Sequence, residues 1–540
     1  MNEKSSQGVI AYHDRTKHNF GRFAKSLGYM DWKNQPNPFR YYEGCESIGL
    51  ALLQEDSPAI YQDLYRRQNN ELQPFSLGNI AAFLELSLGL SAWKSFGGNR
   101  WSLRINPSSG NLHPTECHLI LPSTDSSQAG LFHYNSLEHS LELRAEVPDD
   151  LWEKVTRHFG TEGFLVALSS IFWREAWKYG ERAFRYCNHD VGHALAGMSF
   201  SANLQGWQLK YLNGVSDEQI EAILAFDRVT WMEFEEEVPE LLCFVCSKEM
   251  GTIPRNLSNE IVTDFSNLSI RGKPNILSKE RVHWQIIDEV ERLTKKPMTA
   301  EAVLNYSDMA LRMEVIPTRS AAGIIRWRRS AVAFAGERAL DREQFLAILD
   351  KTIPRNCHVP FDVELIAPSV HLLLFVHNVE GLQQGLYFFL RDSADIDLVK
   401  SSSRRDFVWK QIEQGFPLYL LKTGNFRRIA ARVSCDQEIA GYGVFSLGMI
   451  ARFRETIREE PHKYRHLFWE SGMIGHVLYL EAEAHGFRGT GIGCFYDDPV
   501  HEVLGLSDNF YQSLYHFTVG DPVEDARLTT HAPYIHLEGR

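Results

Sequence analysis

The chain repeats its own pattern, and this internal duplication limits the folds open to it. Residues 184–193 and 464–473 each hold an aromatic residue, an arginine, an acid five residues after the arginine, and a glycine two residues later. Each then runs into a long apolar segment, 194–204 or 474–484, and a glycine follows both segments at the same offset. Segments that are small and apolar on all sides predict central helices buried all round.

The repeat extends to both sides of these helices. Residues 75–90 and 338–349 have apolar side chains three or four apart, as amphipathic helices do. After the glycine that ends each apolar segment, the sequence predicts a helix that begins with an acidic residue, at 217–225 in the first half and at 497–506 in the second. An apolar, strand-like run follows each helix, at 240–245 and at 514–519. The shared offsets favour duplication over chance similarity between two α+β domains.

Length, composition and charge exclude several classes of protein. A chain of 540 residues is too long for one core and predicts about two to four domains. The net charge of −13 argues against a nucleic-acid or anionic-membrane partner. No apolar run reaches the roughly 18 residues that span a bilayer, and the N-terminus has no signal-peptide core. The simplest expectation is a cytoplasmic protein.

Composition shifts predict the domain boundaries. Residues 12–44 are rich in proline and aromatic residues and predict an extended strap, for which packing is favoured over substrate gating. Residues 251–279 are polar and lack apolar periodicity, as linkers do. The predicted segments are a strap at 1–45, a first domain at 46–250, a linker at 251–280 and a second domain at 281–540.

The cysteines do not predict a disulfide framework or a metal site. Eight of them are scattered over the chain. Cys243 and Cys246 form the only CxxC, but they lie in an apolar run with no second pair or histidine cluster beside it. Buried strand cysteines are therefore favoured over a zinc or redox site, and no metal is predicted.

A polar turn at residues 104–114 is the strongest functional signal. Pro107 and a glycine make a tight turn whose backbone can approach a flat ligand closely, and Ser108, Ser109 and Asn111 offer hydrogen bonds of both polarities. The residues alone are equally typical of a plain loop before a strand. Their order resembles the flavin-binding turn of the nitroreductase superfamily, and the His-Pro ending is most similar to the SagB-type azoline dehydrogenases within it.

The resemblance implies a fold and a cofactor. Nitroreductase-like proteins are α+β folds that pair into dimers, with each FMN held at the interface by both protomers. Here the resemblance runs from about residue 46 to the C-terminus, once per half. Tethering raises the effective concentration of the second half to roughly millimolar, so the chain is expected to form two nitroreductase-like domains in an intramolecular pseudo-dimer.

The second half carries the other flavin elements of the family. Arg328, Arg329 and Ser330 match an Arg-rich opening that would bind the FMN phosphate, although two adjacent arginines alone are usually an exposed pair. The family's glycine-rich segment matches Gly491, Ile492 and Gly493, whose backbone amides would approach the isoalloxazine. The family's late basic contact to the phosphate falls at Arg527.

The intact elements add up to one site rather than two. The family's flavin takes its phosphate clamp and glycine segment from one protomer and its Pro-Ser turn from the other. The mirror-image site would need a Pro-Ser turn near 354–361 and a clamp near 65–68, and the sequence departs from the family at both. We therefore predict one FMN per chain, with the second pseudo-site empty, filled by side chains or used otherwise.

A Lys-Tyr pair before the first central helix supplies a candidate for proton transfer. In azoline dehydrogenases such a pair serves the proton abstraction that accompanies hydride transfer to FMN. Lys178 would act so if burial or the nearby Arg174 and Arg182 favour its neutral amine, and Tyr179 would orient the substrate. The alternative is a lysine whose stem packs over an aromatic ring.

Three functions remain open at this point. The leading prediction is an FMN-dependent oxidoreductase, similar to SagB-type dehydrogenases, that oxidises a small molecule or peptide. An NAD(P)H-dependent nitro or quinone reductase and a flavin-binding pseudoenzyme or scaffold are the alternatives, and a biosynthetic partner protein is conceivable. Neither the substrate nor the physiological electron donor or acceptor can be inferred.

Overall fold

The first half is built on an antiparallel sheet and begins with a helix. The computed structural model describes residues 2–66, 70–124, 127–247, 253–302, 304, 306–307, 309–312, 319–356 and 358–538. The elements of the first half and the connecting region are α1 (Asn2–Arg15), β1 (Tyr42–Glu43), β2 (Glu46–Gly49), α2 (Leu77–Glu85), β3 (Leu90–Phe96), β4 (Asn99–Arg104), β5 (Thr115–Leu121), β6 (Gly130–Asn135), β7 (Ser140–Glu146), α3 (Asp149–Phe159), β8 (Gly163–Ser170), α4 (Phe172–Tyr179), α5 (Ala183–Leu204), β9 (Trp207–Tyr211), α6 (Asp217–Leu224), β10 (Val238–Ser247), α7 (Asn259–Ser266), β11 (Lys273–Pro274) and α8 (Gln285–Leu293).

The second half repeats this succession of helices and strands. Its elements are α9 (Ala321–Trp327), α10 (Arg342–Asp350), β12 (Val370–Val376), β13 (Gly385–Phe389), α11 (Ile396–Ser402), β14 (Lys410–Glu413), β15 (Phe416–Thr423), α12 (Arg427–Val433), α13 (Ile439–Tyr442), β16 (Phe445–Arg452), α14 (Phe453–Arg458), α15 (Lys463–Ala484), β17 (Arg488–Ile492), α16 (Asp497–Leu504), β18 (Tyr511–Gly520) and β19 (Thr529–His531).

The two large sheets have the same topology in six of their seven strands. The first sheet has the order β2-β7-β6-β5-β8-β10-β9 and the second has the order β14-β15-β13-β12-β16-β18-β17. Without the edge strands β2 and β14, the chain visits the remaining positions in the same sequence in both. This confirms the predicted α+β fold with two domains of the same topology.

The central helices α5 and α15 pack against each other and join the two halves. Both are 22 residues long, and every residue of α5 is buried. Gly192 and Gly472 occupy equivalent positions at the contact: a Cβ built on Gly192 would lie 2.2 Å from the backbone oxygen of Trp469, and one on Gly472 would lie 2.3 Å from that of His189. The repeated glycine therefore exists because the two helix backbones touch.

Several element bounds and two segments differ from the expectations. The helix expected over 75–90 ends at Glu85, and a hairpin, β3–β4, starts at Leu90. Residues 12–15, the start of the segment predicted to be extended, belong instead to α1, which touches both halves through Ser6 and Tyr12. The linker at 251–280 includes the helix α7. Among the helices of the described residues, none has both the length and the apolar character needed to cross a membrane.

Candidate functional site

A cavity of about 630 Å³ lies where the two halves meet. This volume is within the range of small-molecule and cofactor sites. The first half lines it with the hairpin β3–β4 and the turn before β5, and the second half with the chain after α9, the end of α15, the start of β17 and residues near β19. The polar and aromatic side chains at its wall include Lys94, Trp101, Arg104, Asn106, Ser108, Asn111, Trp327, Arg328, Arg329, Ser330, Glu483, Arg488, Glu524 and Asp525.

The turn at residues 107–111 is fixed from behind by a buried acid. Gly110 and Asn111 both have a φ of 61°, a left-handed conformation that glycine and asparagine tolerate best. The backbone nitrogen of Ser109 donates a 3.0 Å hydrogen bond to Asp190 on α5, and its hydroxyl donates another of 3.1 Å. Ser109 thus points into the protein. The turn residues that line the cavity are Pro107, Ser108 and Asn111.

Two arginines of the second half reach across to the first half. Nη2 of Arg328 donates a 3.1 Å hydrogen bond to the backbone oxygen of Arg104, and Nη2 of Arg329 donates one of 2.9 Å to that of Ser91. Arg328 is buried, so the sequence-based alternative of an exposed pair is wrong for this residue. Among the described residues, Nε of Arg328 has no hydrogen-bond partner.

The wall beside these arginines is strongly cationic. Burial lowers the pKa of Arg328; burial, followed by the charges of Arg328 and Arg488, lowers that of Arg329 to about 10. Burial and Arg329 also lower the pKa of Lys94. Arg488 pairs with the exposed Glu524 at 2.5 Å. Cations that are desolvated and crowded in this way form a site that favours an anion.

Ser330 is part of a hydrogen-bonded group that connects the arginine segment, residues 328–330, to β17. Its hydroxyl lies 2.9 Å from the hydroxyl of Tyr479 on α15, which also accepts a 2.8 Å hydrogen bond from the backbone nitrogen of Gly491. The guanidinium of Arg328 lies 5.1 Å from the centre of the Tyr479 ring. The predicted phosphate-binding segment at 328–330 and the predicted glycine segment at 491–493 are therefore packed together.

The predicted glycine segment lies against tyrosines. A Cβ on Gly491 would fall 1.9 Å from the hydroxyl of Tyr515, and one on Gly493 would fall 2.3 Å from the ring of Tyr186. Ile492 is buried. None of Gly491, Ile492 and Gly493 is among the residues that line the cavity, so their contact with FMN stays a prediction.

Arg527 lies at the surface rather than at the cavity wall. Its side chain is 73% exposed and makes a two-pronged pair with Asp525, whose carboxylate accepts hydrogen bonds of 2.8 and 2.7 Å. A phosphate contact from Arg527 would require this pair to open.

Lys178 and Tyr179 lie directly behind the turn. They end α4, and both are half-buried. A Cβ built on Gly110 would lie 2.6 Å from the Tyr179 hydroxyl and 3.0 Å from Nζ of Lys178. Nζ lies 5.0 Å from the centre of the Tyr179 ring, so the packing expected of a lysine over an aromatic ring is also present. The turn and the Lys-Tyr pair are parts of one structure.

The two arginines expected to influence Lys178 are engaged elsewhere. Arg174 is paired with Glu116 and donates to the backbone oxygen of His113. Arg182 donates a 3.0 Å hydrogen bond to Asp497 of the second half. Each of these two arginines is thus engaged by a buried acid, and an influence of either on Lys178 stays a prediction.

Two buried acids, Asp190 and Glu175, lie near Lys178 and Tyr179. The sequence did not indicate that these two acids would lie together. Burial raises the pKa of Asp190 to about 7, against the hydrogen bonds from the turn. Burial, and then the charge of Asp190, raise the pKa of Glu175 well above its usual range. Within the described part of the chain, neither carboxylate oxygen of Glu175 has a hydrogen-bond partner. Perturbed acids of this kind cluster at functional sites.

Comparison with known proteins found a family match for the second half and a fold match for the whole chain. Residues 325–521 match the model of the nitroreductase family. A candidate nitroreductase from Anabaena variabilis has a similar structure with a TM-score of 0.70 and 22% identity, covering 96% of this chain and 99% of that one. The second half of the chain therefore matches the nitroreductase family, and the chain as a whole has the fold of that candidate nitroreductase.

Other solved structures resemble parts of this nitroreductase-like chain more weakly. A candidate nitroreductase from Ralstonia eutropha aligns with a TM-score of 0.27 and 15% identity over 42% of this chain and 97% of its own. The Escherichia coli microcin synthetase McbBCD complex with truncated pro-MccB17 bound aligns with a TM-score of 0.26 and 18% identity over 46% of this chain and 95% of that one. A search of curated proteins found no match.

The mirror-image position of this tandem nitroreductase-like protein is occupied by charged side chains. Lys210 on β9, the counterpart of the glycine segment, donates 2.9 Å hydrogen bonds to Glu364 and to the backbone oxygen of Asp362. Glu364 also pairs with Arg255 at 2.9 Å. Residues 67 and 68 of the expected clamp lie outside the described residues. Lys210 is therefore paired with protein groups at this point.

The sequence contained a signal for part of the cavity wall that the analysis of its motifs missed. Lys94 and Trp101 belong to β3 and β4, which flank Gly97 and Gly98. Two glycines between alternating apolar and polar residues are typical of a hairpin. The hairpin brings Lys94 to the arginines of the second half.

Proposed function

We propose that the protein is an FMN-dependent oxidoreductase of the SagB-dehydrogenase type, with one FMN per chain in the cavity between its halves. The match of residues 325–521 to the nitroreductase family supports a flavin-dependent oxidoreductase. The observation that carries the proposal is the meeting of the Pro-Ser turn of one half with Arg328, Arg329 and Ser330 of the other at one cavity wall. The chemistry supplied by bound FMN is hydride transfer.

The cationic part of the wall fits the phosphate. FMN carries a phosphate dianion, and guanidinium groups bind such an anion with paired hydrogen bonds. Nε of Arg328 is a buried donor without a partner in the described chain, and burial, followed by the charges of Arg328 and Arg488, lowers the pKa of Arg329 to about 10. We assign Arg328 and Arg329 to the phosphate, with Lys94 and Arg488 as further donors in reach of the same cavity.

The turn and its surroundings fit the ring end of the ligand. Ser108, Asn111 and Asn106 place polar groups at the wall, and Trp101 and Trp327 add flat apolar surface. The Oδ1 atom of Asn106 is a buried acceptor with no hydrogen-bond partner among the described residues. These groups would orient a heterocycle whose rim both donates and accepts hydrogen bonds.

The Lys-Tyr pair is assigned to proton transfer. Nζ of Lys178 and the hydroxyl of Tyr179 lie against the turn at residues 107–111. A substrate bound beside the flavin ring would be within reach of both groups. Lys178 would accept the proton that a C–N or C–C bond loses when it is oxidised, and Tyr179 would orient the substrate. Glu175 and Asp190 provide the neighbouring carboxyl groups, and burial favours their protonated forms.

The deciding experiment is the visible absorbance of the purified chain, with released flavin quantified per chain before and after incubation with FMN. One FMN per chain is the expected result. Two would contradict the single composite site, and none after reconstitution would contradict the flavin function and favour a scaffold. Rapid reduction of the bound flavin by NADPH would instead favour the nitro or quinone reductase.

A further inference from the structure

Two cysteines from distant parts of the second half have their thiols in contact. Cys435 follows α12, and Cys494 lies between β17 and α16. Their Sγ atoms are 2.7 Å apart. Both side chains are half-buried, so small reagents have access to them. This inference is independent of the flavin site.

The contact is held by the backbone on both sides of the thiols. The backbone nitrogen of Tyr496 donates a 2.8 Å hydrogen bond to the backbone oxygen of Val433, and Nε2 of Gln437 donates one of 3.1 Å to that of Cys494. The hydroxyl of Tyr496 donates to Asp436 at 3.1 Å. These hydrogen bonds lie on both sides of the two thiols, so they hold the thiols next to each other whether or not a disulfide joins them.

The backbone at Cys435 is strained to make the approach. Cys435 and Asp436 have φ values of 56° and 57°, which residues other than glycine adopt rarely. Such conformations persist where the surrounding structure holds them, and they concentrate at functional positions. The left-handed backbone of the turn after α12 therefore places the side chain of Cys435 against Cys494.

The surroundings make the two thiols unequal. The hydrogen bond with Cys435 lowers the pKa of Cys494 against the opposing effect of burial, and the guanidinium of Arg182 lowers it further. The same hydrogen bond, with burial, raises the pKa of Cys435. Thiol–disulfide exchange needs one thiolate that attacks and a second thiol that resolves.

We propose that Cys435 and Cys494 are a redox-active pair that closes to an intramolecular disulfide by exchange with a low-molecular-weight disulfide. The Cys494 thiolate attacks that disulfide, displaces one thiolate and forms a mixed disulfide. The thiol of Cys435 then loses its proton and attacks the sulfur of Cys494, which displaces the second small thiolate. Two protein thiols are oxidised, and one small disulfide is reduced to two thiols that take up both protons.

The pair borders the segment that carries Gly493. The backbone oxygen of Gly493 accepts hydrogen bonds from Tyr186 at 3.1 Å and from Arg182 at 3.3 Å. The ring of Tyr186 lies 4.4 Å from that of Tyr179. Closing the disulfide would add a covalent tie between this segment and the turn after α12.

The test uses the full chain, reduced with dithiothreitol, freed of reductant and exposed to oxidised glutathione without denaturant. Mass spectrometry of the intact chain and of its peptides is expected to show loss of two hydrogens and one cross-linked peptide pair joining positions 435 and 494. Dithiothreitol is expected to reverse both changes. A native chain that keeps these two thiols free, or that joins Cys243 to Cys246 instead, would overturn the proposal.

Serine variants assign the order of the two steps. Cys435→Ser is expected to stop at a glutathione adduct on Cys494, since the resolving thiol is missing, and Cys494→Ser is expected to accumulate several-fold less adduct. Cys45→Ser, which alters a half-buried cysteine in the first half, is the matched control and is expected to form the cross-link as the native chain does. Equal amounts of glutathione adduct on Cys435→Ser and Cys494→Ser would refute the assignment, and the native peptide map stands even if one variant fails to fold.

Discussion

Nη2 of Arg328, in the second half of the chain, donates a 3.1 Å hydrogen bond to the backbone oxygen of Arg104, in the first. The proposed phosphate site is thus built across the boundary between the halves, and neither half forms it alone. A dimer of separate nitroreductase-like chains would build two such sites by symmetry. Here duplication within one chain has allowed the halves to diverge, so that one boundary keeps a cationic cavity and the other has the Lys210–Glu364–Arg255 cluster.

Replacing Arg328 by alanine is expected to weaken FMN binding. A charge-assisted hydrogen bond contributes about 1.5–3 kcal/mol, so the dissociation constant should rise roughly 10- to 100-fold. Fluorescence titration of FMN into apoprotein measures this directly. Arg458→Ala is the control, because the Arg458 side chain is 69% exposed and pairs only with its neighbour Glu459 among the described residues. Unchanged affinity in Arg328→Ala would remove this residue from the site.

Replacing Lys178 by alanine is expected to leave FMN bound and to lower turnover of the physiological substrate by about 10²- to 10⁴-fold, the usual contribution of a general base. The second half offers a matched control, since Lys463 also precedes a tyrosine but pairs with Glu460 at the surface. Lys463→Ala is expected to keep full turnover. Normal turnover in Lys178→Ala would assign Lys178 to packing over the Tyr179 ring.

The sequence predicted those parts of the molecule that depend on local pattern. The central helices, the repeated glycine and the strands β10 and β18 follow from periodicity, and they are present in both halves. The contact of Ser109 with Asp190 joins residues 81 positions apart, and no local pattern encodes it. The hairpin β3–β4 was predictable from its paired glycines, but its packing beside the arginines depends on how the halves dock.

Individual side chains were harder to predict than elements. Arg527 matches a basic position of the family, yet its guanidinium forms an ion pair with Asp525, two residues away. Arg174 and Arg182 lie four residues before and after Lys178, but they donate to the buried acids Glu116 and Asp497. Burial and partner choice are set by the tertiary structure, and these decide whether a charge is available to a ligand.

Asp190 should give the protein a measurable pH dependence. Its pKa is raised to about 7 by burial, so the native state keeps the proton that the unfolded chain loses above pH of about 4. The free energy of unfolding therefore falls as the pH rises from about 4 to 7, and this contribution is lost above 7. Between pH 5 and 8 the native chain should lose on the order of 3 kcal/mol relative to Asp190→Asn. Urea unfolding of both proteins at the two pH values measures it, and parallel changes would show that Asp190 is ionised throughout.

Replacing Gly192 by alanine should destabilise the junction of the two halves. The added Cβ would lie 2.2 Å from the backbone oxygen of Trp469, so α5 and α15 would have to move apart, and overpacking of this kind costs about 1–3 kcal/mol or more. Gly78→Ala is the opposite control: Gly78 is exposed on α2, nothing lies within 4 Å of its Cβ position, and alanine should stabilise the helix by about 0.5–1 kcal/mol. Thermal unfolding of the two variants is expected to shift the melting temperature in opposite directions. A Gly192→Ala protein as stable as the native chain would mean that the central helices are not held in contact at this glycine.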